Sequence, residues 1–185
     1  MLFPATLSSL SASRQEYMNK LSSLLSIGTI LLDQELVSRK RLFEEASLLF
    51  ESAHGVPHTD AFEALFAREK LGCTCLGRGC AIPHGRLEAL DKPVLCFIRT
   101  KTALILDAPD GKPVQLFFFV LVPEKTREQY RGVLTELCAL LEDKEMRNKL
   151  GAATTPVEVC ELINAWEPPT SDATESLEVS STPSN

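Results

Sequence analysis

The chain has 185 residues, which is enough for one domain with a substantial core. Its formal net charge of -6 argues against non-specific nucleic-acid binding, because such binding needs a basic face that displaces counterions. No apolar run reaches the ~20 residues that cross a bilayer, and the N-terminus lacks the basic start and apolar block of a secretory signal. The sequence therefore predicts a cytoplasmic protein without membrane insertion.

Three segments of different composition divide the chain. Residues 1–20 are rich in Ser and show no long periodic pattern, which predicts a loose leader. Residues 168–185 are acidic and rich in Ser, Thr and Pro, which predicts a disordered tail. A single domain is expected over residues 21–167.

The first half of this domain predicts two helices and an extended segment. Apolar residues at helical spacing follow Ser38, a good N-cap, and predict a helix that ends at His54–Gly55. A second helix is expected from Thr59 to Leu71. The segment Cys73–Arg86 is punctuated by glycine and predicts a strand or hairpin that leads into a loop.

Two strands are expected in the second half, over Val94–Thr100 and Val114–Val122. The second run is almost continuously apolar, which is typical of a central strand covered on both faces. Three helices are predicted to follow: Arg127–Leu141 with Thr126 as N-cap, Lys144–Leu150 and Pro156–Trp166. Helices and strands around a buried central strand predict an α/β sandwich.

One segment carries the residues that a phosphoryl-acceptor site needs. His84 lies in a predicted loop, and Arg68, Arg78 and Arg86 belong to the same stretch of chain. A partly neutral imidazole can attack phosphorus at pH 7, and guanidinium groups and exposed backbone amides can bear the charge of the phosphoryl oxygens. Spacing alone leaves open the alternative of an ordinary surface histidine.

The cysteines of the same segment leave further alternatives open. Cys73, Cys75 and Cys80 form a C-x-C-x4-C-x3-H run with His84, which would suit zinc, although it matches no common structural-zinc spacing. A redox role is a second alternative, because Arg78 could lower the pKa of a nearby thiol. We favour a third interpretation, in which these cysteines replace small residues in a packed hairpin, and we predict no metal or cofactor. The other cysteines are expected to be small buried hydrophobic residues: Cys96, Cys138 and Cys160.

The run GCAIPHGRLE at residues 79–88 resembles the active-site signature of type-2 IIA domains (mannitol/fructose class) of the bacterial phosphoenolpyruvate-dependent phosphotransferase system (PTS). It is most similar to the nitrogen-regulatory branch. Three more segments resemble the same family in the same order: LLDQELVSRKRLFEEASLLF, FEALFAREKLG and LDAPDGKPVQLFFFVLVPE. The resemblance covers about residues 25–165 and implies a mixed β-sheet flanked by helices on both sides.

The resemblance also implies roles for particular residues. His84 would be the phosphoryl acceptor, Arg68 would stabilise the phosphate, and a small histidine phosphocarrier protein would be the donor. The chain would then be a phosphocarrier with a transient phosphohistidine rather than a free-standing enzyme. Its phosphorylation state would regulate nitrogen, carbon and potassium metabolism through proteins such as a sensor kinase or a potassium transporter. Further candidates around the phosphate are Thr74, Arg78, Arg86 and Tyr130.

Tyr130 marks a departure from the family pattern. Many type-2 IIA domains carry a second histidine early in the helix after the VPE turn, and Tyr130 takes that place here. A tyrosine hydroxyl can bond a phosphoryl oxygen or the imidazole, but it supplies no cation near neutral pH. Two alternative functions therefore stay open: an interaction module that regulates partners by binding without transfer, and the IIA component of a fructose/mannitol-class sugar uptake system.

Overall fold

The computed structural model describes residues 19–168 except Thr126, and only the backbone of residues 127–130. Most of the predicted leader and tail, the Thr126 cap and the Tyr130 side chain lie outside the described residues. Asn19 was assigned to the leader, but it belongs to the described fold, as does Lys20, the first residue of a helix. The buried Asn19 amide donates to the carbonyls of Ile163 and Trp166, at 2.7 and 2.8 Å.

The described part of the chain contains six α-helices, a short 3-10 helix at Ile27–Thr29 and six strands. The helices are α1 (Lys20–Leu24), α2 (Arg39–His54), α3 (His58–Glu69), α4 (Arg127–Glu142), α5 (Lys144–Ala152) and α6 (Pro156–Ala165). The strands are β1 (Ile30–Gln34), β2 (Cys75–Gly77), β3 (Cys80–Ala81), β4 (His84–Leu87), β5 (Val94–Leu104) and β6 (Val114–Pro123). None of the helices within this described part is long and apolar enough to span a membrane.

Strand β6 is the centre of a mixed six-stranded sheet. One edge of β6 pairs antiparallel with β5, which pairs parallel with β1. Its other edge pairs parallel with two short strands in succession, first β3 and then β4, and β3 pairs antiparallel with β2. The predicted central strand is therefore confirmed, and the Cys73–Arg86 segment does form a hairpin, β2–β3, ahead of β4.

Two helical layers cover the two faces of the sheet, because successive side chains of β6 point to opposite faces. Phe117, Phe119 and Leu121 pack with α2 and α3 in one hydrophobic cluster. Phe118 and Val120 pack with α1, α4, α5 and α6 in the other. The predicted α/β sandwich with helices on both sides of a mixed sheet is confirmed.

The signals that end α2 act as predicted. The Ser38 side chain accepts the N–H of Arg41 at 3.3 Å, and Gly55 adopts the left-handed conformation that closes a helix, with φ 68°. Helix α3 covers slightly different residues from those expected, beginning at His58. The sequence patterns predict neither α1 nor β1, because each has only five residues and is too short to display a period.

Candidate functional site

The sequence predicted that His84 lies in a loop. The structure instead places it as the first residue of β4. It follows Pro83, which has no N–H to donate and lies where the pairing of β6 passes from β3 to β4. The Pro83 carbonyl still accepts the N–H of Val120 at 2.9 Å, and His84 is in register with Val120. The sheet therefore fixes the backbone of His84 while its imidazole stays half-buried.

Arg68 reaches this imidazole from the last turn of α3. Its Nε donates to Nε2 of His84 at 3.2 Å, and its Nη1 donates to the carbonyl of Gly72 at 3.0 Å. The bond to Gly72 holds the guanidinium against the turn that ends α3. The structure thus brings together the two residues that the family resemblance places at the phosphate.

The hydrogen bonds of the ring assign its tautomer. Nδ1 lies 2.8 Å from the carbonyl oxygen of Ile82, which can only accept, so Nδ1 carries the proton and donates. Nε2 accepts from Arg68 and therefore carries the lone pair. The nitrogen that faces the guanidinium is the one able to act as a nucleophile.

The surroundings of His84 favour a neutral ring. Burial lowers the pKa of His84 below its ordinary value, and the positive charges of Arg68 and Arg86 lower it further. The bond to the Ile82 carbonyl and the Glu69 carboxylate act in the opposite direction and only partly offset this effect. The lowered pKa favours the neutral imidazole, which is the form that can attack phosphorus.

Gly85 lets α3 approach β4 closely enough for the Arg68–His84 contact. A Cβ atom at residue 85 would lie 2.7 Å from the carbonyl carbon of Ala64 and 2.9 Å from its oxygen. These are backbone atoms in the middle of α3, and Arg68 lies one turn further along the same helix. The glycine is required here by space, since even a methyl group would push α3 away.

A buried carboxylate supports the other side of the ring. Glu69 is only 7% exposed, and its Oε2 accepts from the N–H and the Oγ1–H of Thr74, at 3.2 and 2.7 Å. The Thr74 carbonyl accepts the N–H of Ile82 at 3.0 Å, and the Ile82 carbonyl accepts from His84. Hydrogen bonds therefore connect Glu69 to Nδ1 of His84 through the backbone of two intervening residues, Thr74 and Ile82.

The other predicted candidates occupy different places. Thr74 lines the same cavity as His84, but its hydroxyl proton is engaged by Glu69. Arg86 lies two residues after His84 on β4, so both project from one face of the strand.

Arg78 lies in the β2–β3 turn, where its N–H donates to Asp110 at 2.7 Å, and it lines a neighbouring cavity instead. The Tyr130 backbone belongs to α4, and its side chain lies outside the described residues.

Neither a zinc site nor a lowered pKa of Cys80 is found among the described cysteines. Burial raises the pKa of Cys80 to about 11, and the charges of Arg147 and Arg78 only partly oppose this rise, so Cys80 does not have the lowered pKa of an activated thiol. Within residues 19–168, no group of three or more His, Cys, Asp or Glu is placed to hold a metal ion, so the zinc alternative has no site there. Cys96 is buried as predicted, whereas Cys138 and Cys160 are only half-buried.

The fold and the site together define a class of single-domain α/β sandwiches with a histidine–arginine pair beside the central strand. Residues 23–166 match the family described as "Phosphoenolpyruvate-dependent sugar phosphotransferase system, EIIA 2". This match covers more than half of the chain, and the chain belongs to this family.

Comparisons with individual proteins point to the nitrogen-regulatory branch. The nitrogen regulatory protein of Pseudomonas aeruginosa is 36% identical over 149 residues, which cover 79% of this chain and 96% of that protein. The crystal structure of the nitrogen regulatory protein IIA-Ntr from Neisseria meningitidis is 45% identical with a TM-score of 0.74, covering 77% of this chain and 98% of that one. The mannitol IIA of Escherichia coli has a TM-score of 0.64 at 24% identity, with 75% and 98% covered, which shows a shared fold. The resemblance to type-2 IIA domains, and to their nitrogen-regulatory branch in particular, is confirmed.

Two features of the site were missed from the sequence. Glu69 was not singled out although it directly follows Arg68, because nothing in an Arg-Glu-Lys run shows which of the charges will be buried. The Ile82 carbonyl was also missed, because a backbone acceptor has no side-chain signature. Both become apparent only in the structure, where the β2–β3 hairpin brings Ile82 next to Thr74, and Thr74 binds Glu69.

Proposed function

We propose that Nε2 of His84 accepts a phosphoryl group from a phosphohistidine donor, a histidine phosphocarrier protein of the phosphotransferase system. The observation that carries this proposal is the contact between Arg68 Nε and His84 Nε2 at 3.2 Å, on a ring whose Nδ1 is held by the Ile82 carbonyl. This arrangement places a lone pair and a positive charge at one point on the surface. Those are the two requirements for in-line transfer of a phosphoryl group.

The transfer would use the site as follows. The lone pair of Nε2 attacks the donor's phosphorus while the phosphorus–nitrogen bond to the donor imidazole breaks. Before this attack, Arg68 exchanges its bond to Nε2 for bonds to the phosphoryl oxygens, which frees the lone pair, and Arg86 adds positive charge from the same face of β4. The Ile82 carbonyl keeps its bond to Nδ1–H and stabilises the positive charge that develops on the ring.

No second imidazole takes part in this proposal. The chain has three histidines, and the other two lie at the end of α2 and the start of α3. His58 precedes Arg68 by ten residues of helix, or about 15 Å. His84 would therefore accept the phosphoryl group without a second histidine, and the contribution of Tyr130 to onward transfer stays a prediction.

The phosphorylated form would serve as a signal. A phosphoryl group adds about -1.5 to -2 charges and three acceptor oxygens to a small area of surface. A partner that contacts this surface would bind one form better than the other, and the differential affinity sets the strength of the signal. The kinship with nitrogen regulatory proteins supports a regulatory role, with a sensor kinase or a potassium transporter as proposed partner classes.

The direct test is reconstituted phosphorylation. The purified chain is incubated with phosphoenolpyruvate, enzyme I and the histidine phosphocarrier, and its intact mass is followed by native-pH mass spectrometry. We expect the gain of one acid-labile phosphoryl group, which is absent from His84→Ala. The matched control is His58→Ala, which removes an exposed imidazole paired with Glu51 and should be labelled like the wild type.

The same experiment separates the alternatives. If the wild type stays unlabelled while another nitrogen regulatory protein is labelled in parallel, the proposal is wrong and a non-transferring interaction module is favoured. If the labelled chain passes its phosphoryl group rapidly to a IIB component, a role in sugar uptake replaces the regulatory one.

A further inference from the structure

The two oxygens of the buried Glu69 carboxylate are bound very differently. Oε2 accepts both hydrogen bonds from Thr74, whereas Oε1 faces Nε of Arg39 at 4.0 Å, which is too far for a hydrogen bond. A buried charge that is only partly paired is costly in free energy. The amide oxygen of a glutamine could accept the same two bonds from Thr74 without this cost, so the bonds to Thr74 alone do not explain why residue 69 is charged.

A second carboxylate holds Arg39 away from Glu69. Arg39 is the first residue of α2, and its Nη2 donates to Oδ2 of Asp107 at 2.9 Å, in the connection between β5 and β6. Asp107 is exposed, so this bond draws the guanidinium towards solvent. One positive charge is thus shared by two carboxylates, and the buried carboxylate keeps a negative charge that Arg39 does not fully balance.

This negative charge acts on the His84 ring. Burial lowers the pKa of His84 most, and Arg68 and Arg86 lower it further, whereas Glu69 favours the charged ring and raises the pKa. The charged groups that act on the ring in the described part of the chain thus come from α3 and β4. The described side chains that α4 contributes to the cavity are uncharged: Leu134 and Cys138. Glu69 is therefore the anionic neighbour against two cationic ones.

We propose that Glu69 is a positioning residue for phosphoryl acceptance, and that its buried charge stabilises the cation that His84 becomes when Nε2 bonds to phosphorus. This inference rests on the proposed function. Nε2 gives its lone pair to phosphorus while Nδ1 keeps its proton, so the ring gains a positive charge. The donor imidazole recovers the electron pair of the bond that breaks. Glu69 is connected to the ring at Nδ1, through Thr74 and Ile82, and a fixed negative charge there lowers the energy of the charged ring.

Glu69→Gln in the full chain tests the proposal, because it removes the charge and keeps an oxygen that can accept from Thr74. Two-dimensional NMR of the imidazole should give a pKa of His84 below that of the wild type, since the carboxylate that favours the charged ring is gone. Single-turnover labelling at a pH where the ring is fully neutral should be about 10-fold slower. The effect is smaller than the roughly 100-fold loss for a donor that contacts the reacting group, because Glu69 acts through other residues.

The pH profile separates a charge effect from damage to the fold. The fall in acceptance on acidification should begin at a lower pH in Glu69→Gln than in the wild type, whereas it begins at a higher pH in Arg68→Ala, which removes a cation. Slower acceptance in Glu69→Gln with an unchanged or raised pKa of His84 would overturn the proposal. The matched control is Glu63→Gln, an exposed residue of the same helix, which should leave the rate and the pKa unchanged.

Arg39→Gln tests the same charge from the opposite side, and it does not depend on whether Glu69→Gln folds. The substitution removes the cation that partly balances Glu69, at a side chain that is partly exposed. The pKa of His84 should therefore rise, in the opposite direction to the change in Glu69→Gln. An unchanged or lowered pKa of His84 in Arg39→Gln would contradict the proposal.

Failure of this inference can be distinguished from failure of the proposed function. If the wild type accepts no phosphoryl group, the proposed function is wrong and the role of Glu69 in transfer falls with it. If the wild type is labelled and Glu69→Gln is labelled at an undiminished rate, the proposed function stands and only the role of Glu69 is wrong.

Discussion

Two arginines, one on β5 and one in the last turn of α3, show how differently the same side chain is used. Arg99 on β5 is 5% exposed, and all three of its nitrogens donate. Nε and Nη2 bind the Asp33 carboxylate at 3.1 and 2.9 Å. Nη1 binds three carbonyls at the end of α5, those of Leu150, Gly151 and Ala153, at 2.7 to 3.0 Å.

Arg68 is half-buried and makes two hydrogen bonds to the part of the chain that the structure describes, one of them to an imidazole nitrogen. The contrast teaches that burial of a charge is not by itself a sign of function. Arg99 is bound by one carboxylate and three backbone carbonyls of the fold, so it stabilises the fold. Arg68 is bound in part by a group that a phosphoryl oxygen can replace.

The largest effect should come from Arg99→Ala. Its loss leaves three carbonyls at the end of α5 without their donor, and each unsatisfied buried group costs about 1–3 kcal/mol, so the free energy of unfolding should fall by about 3 kcal/mol or more. Urea denaturation measures this change. The control is Lys101→Ala, which removes an exposed ion pair to Glu35 and should cost less than about 1 kcal/mol. Equal losses of unfolding free energy in the two variants would contradict a structural role for Arg99.

Arg68→Ala should show the opposite profile. The rate of phosphoryl acceptance should fall about 100-fold, because the phosphoryl oxygens lose a positioned donor. The free energy of unfolding should change by less than about 1 kcal/mol, since only one hydrogen bond to a backbone carbonyl is lost besides the contact with the ring. Single-turnover labelling and urea denaturation of one preparation give both values. If this variant unfolds as readily as Arg99→Ala, Arg68 is a structural residue.

Gly85→Ala should have effects between those of these two variants, because the added methyl group strains the packing of α3 on β4 and thereby displaces Arg68. A methyl group within 3 Å of the α3 backbone should cost about 1–3 kcal/mol of stability and slow phosphoryl acceptance. Gly151→Ala is the matched control: its Cβ meets nothing within 4 Å, so it should change stability by no more than about 1 kcal/mol and leave acceptance unchanged. Identical behaviour of the two variants would show that α3 tolerates displacement at β4.

The smallest effect is a change in the titration of His84, measured by two-dimensional NMR of the imidazole. In the wild type the pKa of His84 should lie below the ordinary value of 6.5, because burial disfavours the charged ring. In Arg68→Ala the pKa should rise, since a neighbouring positive charge is gone. Because the neutral ring attacks phosphorus, acceptance should fall as the pH drops through this pKa, and the fall should begin at a higher pH in the variant. An unchanged pKa would mean that the guanidinium exerts no charge effect on the ring.

The sequence predicts the central part of the fold well, because long periodic or continuous apolar runs leave few alternatives. β6 and α2 are examples, and each also ends at a residue with a physical reason to end it. α1 and β1 escape prediction because five residues display no period. His84 was placed in a loop because a four-residue strand after proline looks irregular in sequence. In the structure, residues 84–87 pair with β6 without a break and form a regular strand.

The candidate site was located mainly by family resemblance, and the contacts within it were not predictable. Sequence placed Arg68 and His84 in one segment but gave no reason for their side chains to meet. The reason lies in Gly85, whose lack of a side chain lets α3 approach β4. Arg78 shows the converse: it is nearer to His84 in sequence, yet the β2–β3 turn directs it to another cavity.

The adjacency of Arg68 and Glu69 has a consequence for how this segment can vary among descendants of the same gene. One residue contacts Nε2 of the ring, and the next reaches Nδ1 through Thr74 and Ile82. Both connections pass over the short stretch between α3 and β2, so an insertion or deletion there would break the two together. Leu71 on the same stretch is far less restricted, because it is 84% exposed. The length of this turn should therefore be held fixed by selection, together with Thr74, while an exposed position such as residue 71 is free to drift.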